Sequence, residues 1–112
     1  MVDKKSAEID RSDIEEAMKS YYQDEPVKAL IGLKVDTKYT DEIAKAVSLY
    51  ENIVDVYLVT GDMDLLLKGY FENFKVLKDF LVKEVPKITG VKETKTMQVV
   101  TTFKEDGKVI DI

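Results

Sequence analysis

From Val27 to Val35 the chain alternates: Val27, Ala29, Ile31, Leu33 and Val35 fall on one side, and Lys28, Leu30, Gly32 and Lys34 on the other. A period of two predicts a strand. Thr40 can then cap a helix that begins with Asp41 and Glu42, acidic residues that suit the helix dipole. Ile43, Ala44, Val47 and Tyr50 supply its apolar face. Two β-prone runs follow, Ile53 to Thr60 and Leu65 to Phe71, joined by Gly61-Asp62-Met63-Asp64. A four-residue link between strands predicts an antiparallel hairpin. Asn73 is the next cap. Phe74, Leu77, Phe80, Leu81 and Val85 recur at helical spacing, and Pro86 and Gly90 end that segment. Val91 to Phe103 is β-prone again. Asp106-Gly107 predicts a tight turn, leaving Val109 to Ile112 as a short terminal strand.

The order β-α-β-β-α-β predicts an α+β fold of ferredoxin-like type, a four-stranded antiparallel sheet with two helices on one face. The other face is not clearly polar. Whichever parity meets the helices, the second strand sets Val54, Val56 and Leu58 against Ile53, Tyr57 and Val59, and the third sets Leu65, Leu67 and Phe71 against Leu66 and Tyr70. A sheet apolar on both faces needs a second cover. The simplest is a symmetric copy, giving a barrel-like dimer through the sheet face; the alternative is the N-terminal segment of the same chain. Gly69 inside a strand predicts close approach by another group. Tyr57 or Tyr70 is expected at the dimer face or a pocket, with packing its main role, and most of the lysines on solvated surface.

Charge divides the chain. Residues 1–25 carry four basic and eight acidic side chains, against thirteen and fourteen in the remainder. Ser12-Asp13-Ile14-Glu15 is a capping box, so this acidic arm is expected to hold a short helix that ends before Pro26. The expected organisation is arm 1–25, main domain 26–104 and terminal hairpin 105–112.

The 112 residues suit one domain. There is no Cys, hence no disulfide or thiolate site, and no His, the commonest general base and metal ligand. A net charge of −5 with a single arginine, Arg11, argues against direct nucleic-acid binding. No apolar run approaches a membrane span, and no signal peptide is evident, so a cytoplasmic protein without membrane contact is expected. Abundant Lys and Glu with only four Asn and Gln residues fits a thermophile. The candidate chemistry is the Gly61–Asp64 loop. Asp62 and Asp64 alone fall short of a metal site, and no cofactor is expected.

The stretches VDVYLVTGDMDLLLKGYF and ITGVKETKTMQVV resemble the effector domain, called RAM, of the leucine-responsive (Lrp/AsnC) transcription regulators. The first resembles that family's strand–G-x-x-D–strand hairpin, with Gly61 and Asp64 in the motif positions. The second resembles its Gly-Val followed by Thr-x-Thr, here Gly90, Val91, Thr94 and Thr96, 29 residues on. The resemblance implies the fold derived above, dimers paired sheet against sheet, further assembly up to octamers, and a small effector bound where dimers meet, usually an amino acid. Carried over, the effector-binding residues would be Gly61, Asp62, Met63, Asp64, Thr94 and Thr96. Backbone amides at a Gly turn can hold an α-carboxylate, Asp64 can accept from an α-ammonium, and threonine hydroxyls can serve either. Members of the family carry a helix-turn-helix domain ahead of RAM, for which an acidic arm of about 25 residues is too short. The expectation is therefore a stand-alone RAM protein, not an enzyme, that joins itself or a full-length relative and influences transcription through that partner. Two alternatives stay open: a dimeric α+β barrel enzyme of the small monooxygenase kind, disfavoured by the lack of His, Cys and Trp, and an assembly subunit with no small ligand.

Overall fold

The computed structural model describes residues 25–110. The arm helix expected near Ser12, and any cover it gives the sheet, lie outside the described residues. Among the described residues, six strands and two α-helices run in order: β1 (Val27–Val35), α1 (Thr40–Ser48), β2 (Ile53–Leu58), β3 (Leu65–Phe71), α2 (Phe74–Asp79), β4 (Val91–Gln98), β5 (Lys104–Glu105) and β6 (Lys108–Val109). The first four strands form one antiparallel sheet in the order β2-β3-β1-β4, and β5 and β6 form a separate hairpin. This is the ferredoxin-like arrangement.

The alternation in β1 sorts as its pattern predicts. Val27, Ala29, Ile31, Leu33 and Val35 are buried, with Leu65, Leu67 and Phe71 of β3, beneath Ile43 and Val47 of α1 and Leu77 and Phe80 of α2. In β2 a bulge between Ile53 and Asp55 breaks the alternation. Ile53 pairs with Gly69 and Val56 with Leu67, so both turn to the helices although they differ in parity. Gly69 is needed for space: a Cβ there would lie 2.6 Å from the Phe71 ring and 3.3 Å from Ile53 Cδ1.

Boundaries differ from the expectation in several places. Thr40 is the first helical residue rather than the cap. Asp36 caps a short 3-10 turn, Thr37–Tyr39, and the Thr40 hydroxyl donates back to the Thr37 carbonyl at 2.9 Å. Asn73 does cap α2, accepting the Val76 N–H at 3.0 Å. Beyond α2 the helix widens to a π-type turn over Phe80–Glu84 and tightens to a 3-10 turn over Val85–Lys87. The Tyr50 ring meets Phe80 edge-on at 5.2 Å there, and its hydroxyl donates to Glu84 at 3.1 Å. β4 ends at Gln98, five residues short of the predicted limit, because the chain leaves the β1 edge after Val99.

The face away from the helices carries Lys28, Leu30, Gly32 and Lys34 of β1, Leu66, Lys68 and Tyr70 of β3, Tyr57 of β2, and Lys95 and Met97 of β4. It mixes cations with apolar groups. Tyr57, Tyr70 and Met97 stand exposed on it.

Candidate functional site

The two turn motifs converge on the end of β1. β1 loses register with β4 between Lys34 and Val35, and its pairing with β3 ends at Leu33 opposite Leu65. Asp64 fills the gap. Its Oδ2 accepts the Val35 N–H at 2.9 Å, its own N–H donates to the Leu33 carbonyl at 2.9 Å, and its carbonyl accepts the Val59 N–H at 2.9 Å. One residue along, the Asp36 N–H donates to the Gly90 carbonyl at 2.8 Å. Consecutive amides of one strand end thus hold both motifs.

The glycines answer to geometry. Gly61 has φ +122° and Gly90 φ +98°, both in the region that disfavours other residues. At Gly90 a Cβ would also lie 2.9 Å from Tyr39 Cβ and Cδ2. Met63 folds back from the loop over Gly32, where a Cβ would come 2.7 Å from its Cγ. This explains a glycine in the middle of β1.

Of the six expected effector residues, Gly61 and Asp62 are exposed at the loop tip and Asp64 is half-buried on Val35. Met63 packs on the open face. Thr94 and Thr96 pair with Leu33 and Ile31, which places them on the helix side of the edge strand β4. Thr94 lines a cleft of about 210 Å³ with Leu81, Val85, Pro86 and Ile88. Thr96 lines another, of about 270 Å³, with Phe74, Leu77 and Val82. Neither cleft includes a residue of the Gly61–Asp64 loop. Within one chain the loop and the threonines are separate surfaces.

A second cluster was not anticipated. Lys28, expected on solvated surface, stands opposite Tyr70, and Lys68 stands opposite Leu30, so the two ammoniums are diagonal neighbours on the open face. The terminal hairpin lays Glu105 onto them. Its carboxylate accepts from Lys28, from Lys68 at 2.7 Å and from the Tyr70 hydroxyl, while Lys28 also donates to Thr102 Oγ1 at 2.6 Å. The hydrogen bonds from Lys28, Lys68 and Tyr70 hold the Glu105 carboxyl well below its ordinary value, to about 2. The bond to Glu105 reciprocally raises the Lys68 ammonium and the Tyr70 phenol. A cleft of about 450 Å³ beside the cluster is lined by Leu30, Val99 and Phe103 as well as the lysines. In sequence, only the Asp106-Gly107 turn hinted at this, by marking a hairpin without showing where it docks.

Residues 28–109 match the sequence model of the family described as the Lrp/AsnC ligand binding domain. Over 77 residues, 69% of this chain, it is 39% identical to the HTH-type transcriptional regulator FL11 of Pyrococcus horikoshii and spans 50% of that protein. The chain thus spans about half the length of the curated relatives it matches. Among solved structures, that of FFRP-DM1 superposes with a TM-score of 0.64 at 23% identity, over 66% of this chain and 99% of that one. The Neisseria meningitidis transcriptional regulator NMB0573 in complex with L-Met gives 0.68 at 17% identity, over 81% of this chain and 59% of that one.

Proposed function

The chain belongs to the Lrp/AsnC ligand binding domain family, and from that membership we propose that it is a cytoplasmic amino-acid-sensing and assembly module, not an enzyme, which acts on transcription through a full-length partner and not by touching DNA itself. The observation that carries this reading is the junction at the end of β1. Val35 N–H to Asp64 Oδ2 at 2.9 Å and Asp36 N–H to Gly90 carbonyl at 2.8 Å set the two motifs side by side as a built structure. The NMB0573 regulator was solved with L-Met, which supports an amino acid as the class of effector.

The effector site we propose is composite. Gly61 and Asp62 are exposed at the loop tip, where backbone amides can hold an α-carboxylate. Asp64 keeps Oδ1 beside the oxygen spent on Val35 and can accept from an α-ammonium. Thr94 and Thr96 lie on another part of the surface, so they complete the site from a neighbouring copy where dimers meet. Such a site forms only in the assembly, and that is how binding would be reported: effector and assembly stabilise each other. The open sheet face, with Tyr57, Tyr70 and Met97 exposed, is the surface through which the copies pair.

The test is a thermal-shift panel of the twenty amino acids on the purified protein, with its mass followed by light scattering. A ligand at ~100 times its Kd stabilises by roughly 2.7 kcal/mol. In a domain of this size that raises Tm by on the order of ten degrees when unfolding is two-state. One or a few amino acids should give this shift, and Asp64→Asn, which keeps an acceptor for Val35, should lose it. A flat panel on an assembled protein overturns the sensing role.

A further inference from the structure

We propose that the C-terminal hairpin is exchanged between two copies, so that Lys28, Lys68 and Tyr70 of one copy hold Glu105 of the partner subunit. The inference rests on the reading that copies pair through the open sheet face, and adds the side chains that lock the pair.

The hairpin is poorly housed on its own chain. Its strands are two residues each, and a two-stranded ribbon of that size has no core. With Glu105 docked in place, Val100 is still 84% exposed, Phe103 67% and Val109 78%. The sheet face beside it keeps Tyr57 52% and Met97 59% exposed. Among the described residues, both apolar surfaces lack cover.

The polar contacts are self-complementary. Two ammoniums and a phenol form a cradle for a carboxylate, and the carboxylate that fits it comes from the terminal hairpin of the same chain. Every copy therefore carries both halves, which is what a two-fold interface requires, and exchanging an identical element keeps each contact at little cost. Thr102 travels with the hairpin, so its bond to Lys28 is kept as well.

The connection is long enough. Val99 is tied to β1 by its N–H to the Lys28 carbonyl at 2.8 Å, and the chain between it and β5 has no helix or strand. Extended, Val100 to Phe103 reach up to about 14 Å at ~3.5 Å per residue. Sheets packed face to face lie about 10 Å apart. The hairpin can therefore cross to the facing sheet, carrying Phe103 and Val100 into the space between, where their apolar surface is buried.

Charge reversal separates exchange from closure within one chain. Glu105→Lys alone and Lys28→Glu with Lys68→Glu each leave like charges facing in their own dimers. Mixed, an exchanged dimer of the two restores opposite charges at both cradles, whereas closure within a chain restores neither. Native mass spectrometry should show the mixed dimer favoured about tenfold or more over either parent dimer. The triple variant, with all three reversals in one chain, should dimerise like the wild type in either case and so verifies that the reversed cradle folds. No enrichment of the mixed dimer, with the triple variant dimeric, overturns the exchange. A second measurement needs no variant. Isotopically heavy and light wild-type chains are mixed and treated with a carbodiimide, which joins a carboxylate directly to an amine. Glu105 cross-linked to Lys28 or Lys68 in heavy–light peptide pairs is the expected product; same-isotope pairs alone overturn the exchange. A wild type that is monomeric by mass overturns the pairing reading itself, and a dimer without mixed cross-links overturns only the exchange.

Discussion

Asp64 Oδ2 and the backbone N–H of Val35, 29 positions apart in sequence, meet at 2.9 Å where β1 slips register against β4. The carboxylate supplies the acceptor that the ladder cannot. Asp64→Ala strands a half-buried donor, and loss of a charge-assisted bond of this kind should lower stability by about 1–2 kcal/mol. Asp64→Asn, which still offers an oxygen but not its charge, should recover about half of that loss. Urea unfolding of the three proteins compares them directly; equal midpoints for Ala and wild type would mean the bond carries no weight.

Gly90→Ala should be costly for two separate reasons. The residue sits at φ +98°, and an added Cβ meets Tyr39 at 2.9 Å. Backbone strain alone is worth on the order of 1–3 kcal/mol. Tyr39→Gly in the same chain removes both the Cβ and the Cδ2 that lie 2.9 Å from the new methyl, and should recover part of the loss and leave the strain. A double-mutant cycle on Tm reads the two shares; full recovery would place the whole cost in the contact.

Leu67 lies at the centre of β3, fully buried between Ile31 on one side and Val56 on the other. Leu67→Ala should destabilise the domain by about 3 kcal/mol through lost burial and the cavity left behind. Chemical denaturation should show a lower midpoint at an unchanged slope.

Acid should act on the hairpin through Glu105. Its carboxyl titrates near 2 in the folded chain, below its ordinary value of 4.5, so the folded state binds the proton less readily than the unfolded one. The contribution is complete above about pH 4.5 and is lost as pH falls toward 2. A carboxyl NMR titration should find Glu105 still ionised at pH 3.5, and Lys68→Met should move its midpoint upward. An ordinary titration in the wild type would show that the cradle does not form in solution.

The fold was legible because its core strands obey a clean period. β1 reads as a strand from alternation alone, and Asn73 announces α2 by a side chain that does cap it. β2 was ambiguous in parity because a bulge, which leaves no mark in the pattern, lets Ile53 and Val56 share a face. At Thr40, cap and first helical residue could not be told apart, since a hydroxyl serves a 3-10 turn as readily as a helix start. Gly61, Asp64 and Gly90 could be picked out because turn chemistry marks them. Their junction at Val35 and Asp36 could not, since it depends on backbone amides that carry no residue signature. The Glu105 cradle was hidden for a related reason: Lys28 and Lys68 occupy the polar phase of their strands, where a lysine facing water and one awaiting a carboxylate look the same.

The outer strands of the sheet bear on how growth would stop. β2 is bent by its bulge, and β4 carries Lys92, Glu93 and Lys95 among its threonines. Bulges and charges on outer strands discourage another chain from adding its backbone there. Open-ended stacking of strand on strand, the route to fibres, is thereby disfavoured at both margins. What remains is contact by faces, which a two-fold operation saturates. Larger assemblies of this chain should therefore be finite particles of fixed mass, not filaments that lengthen with concentration.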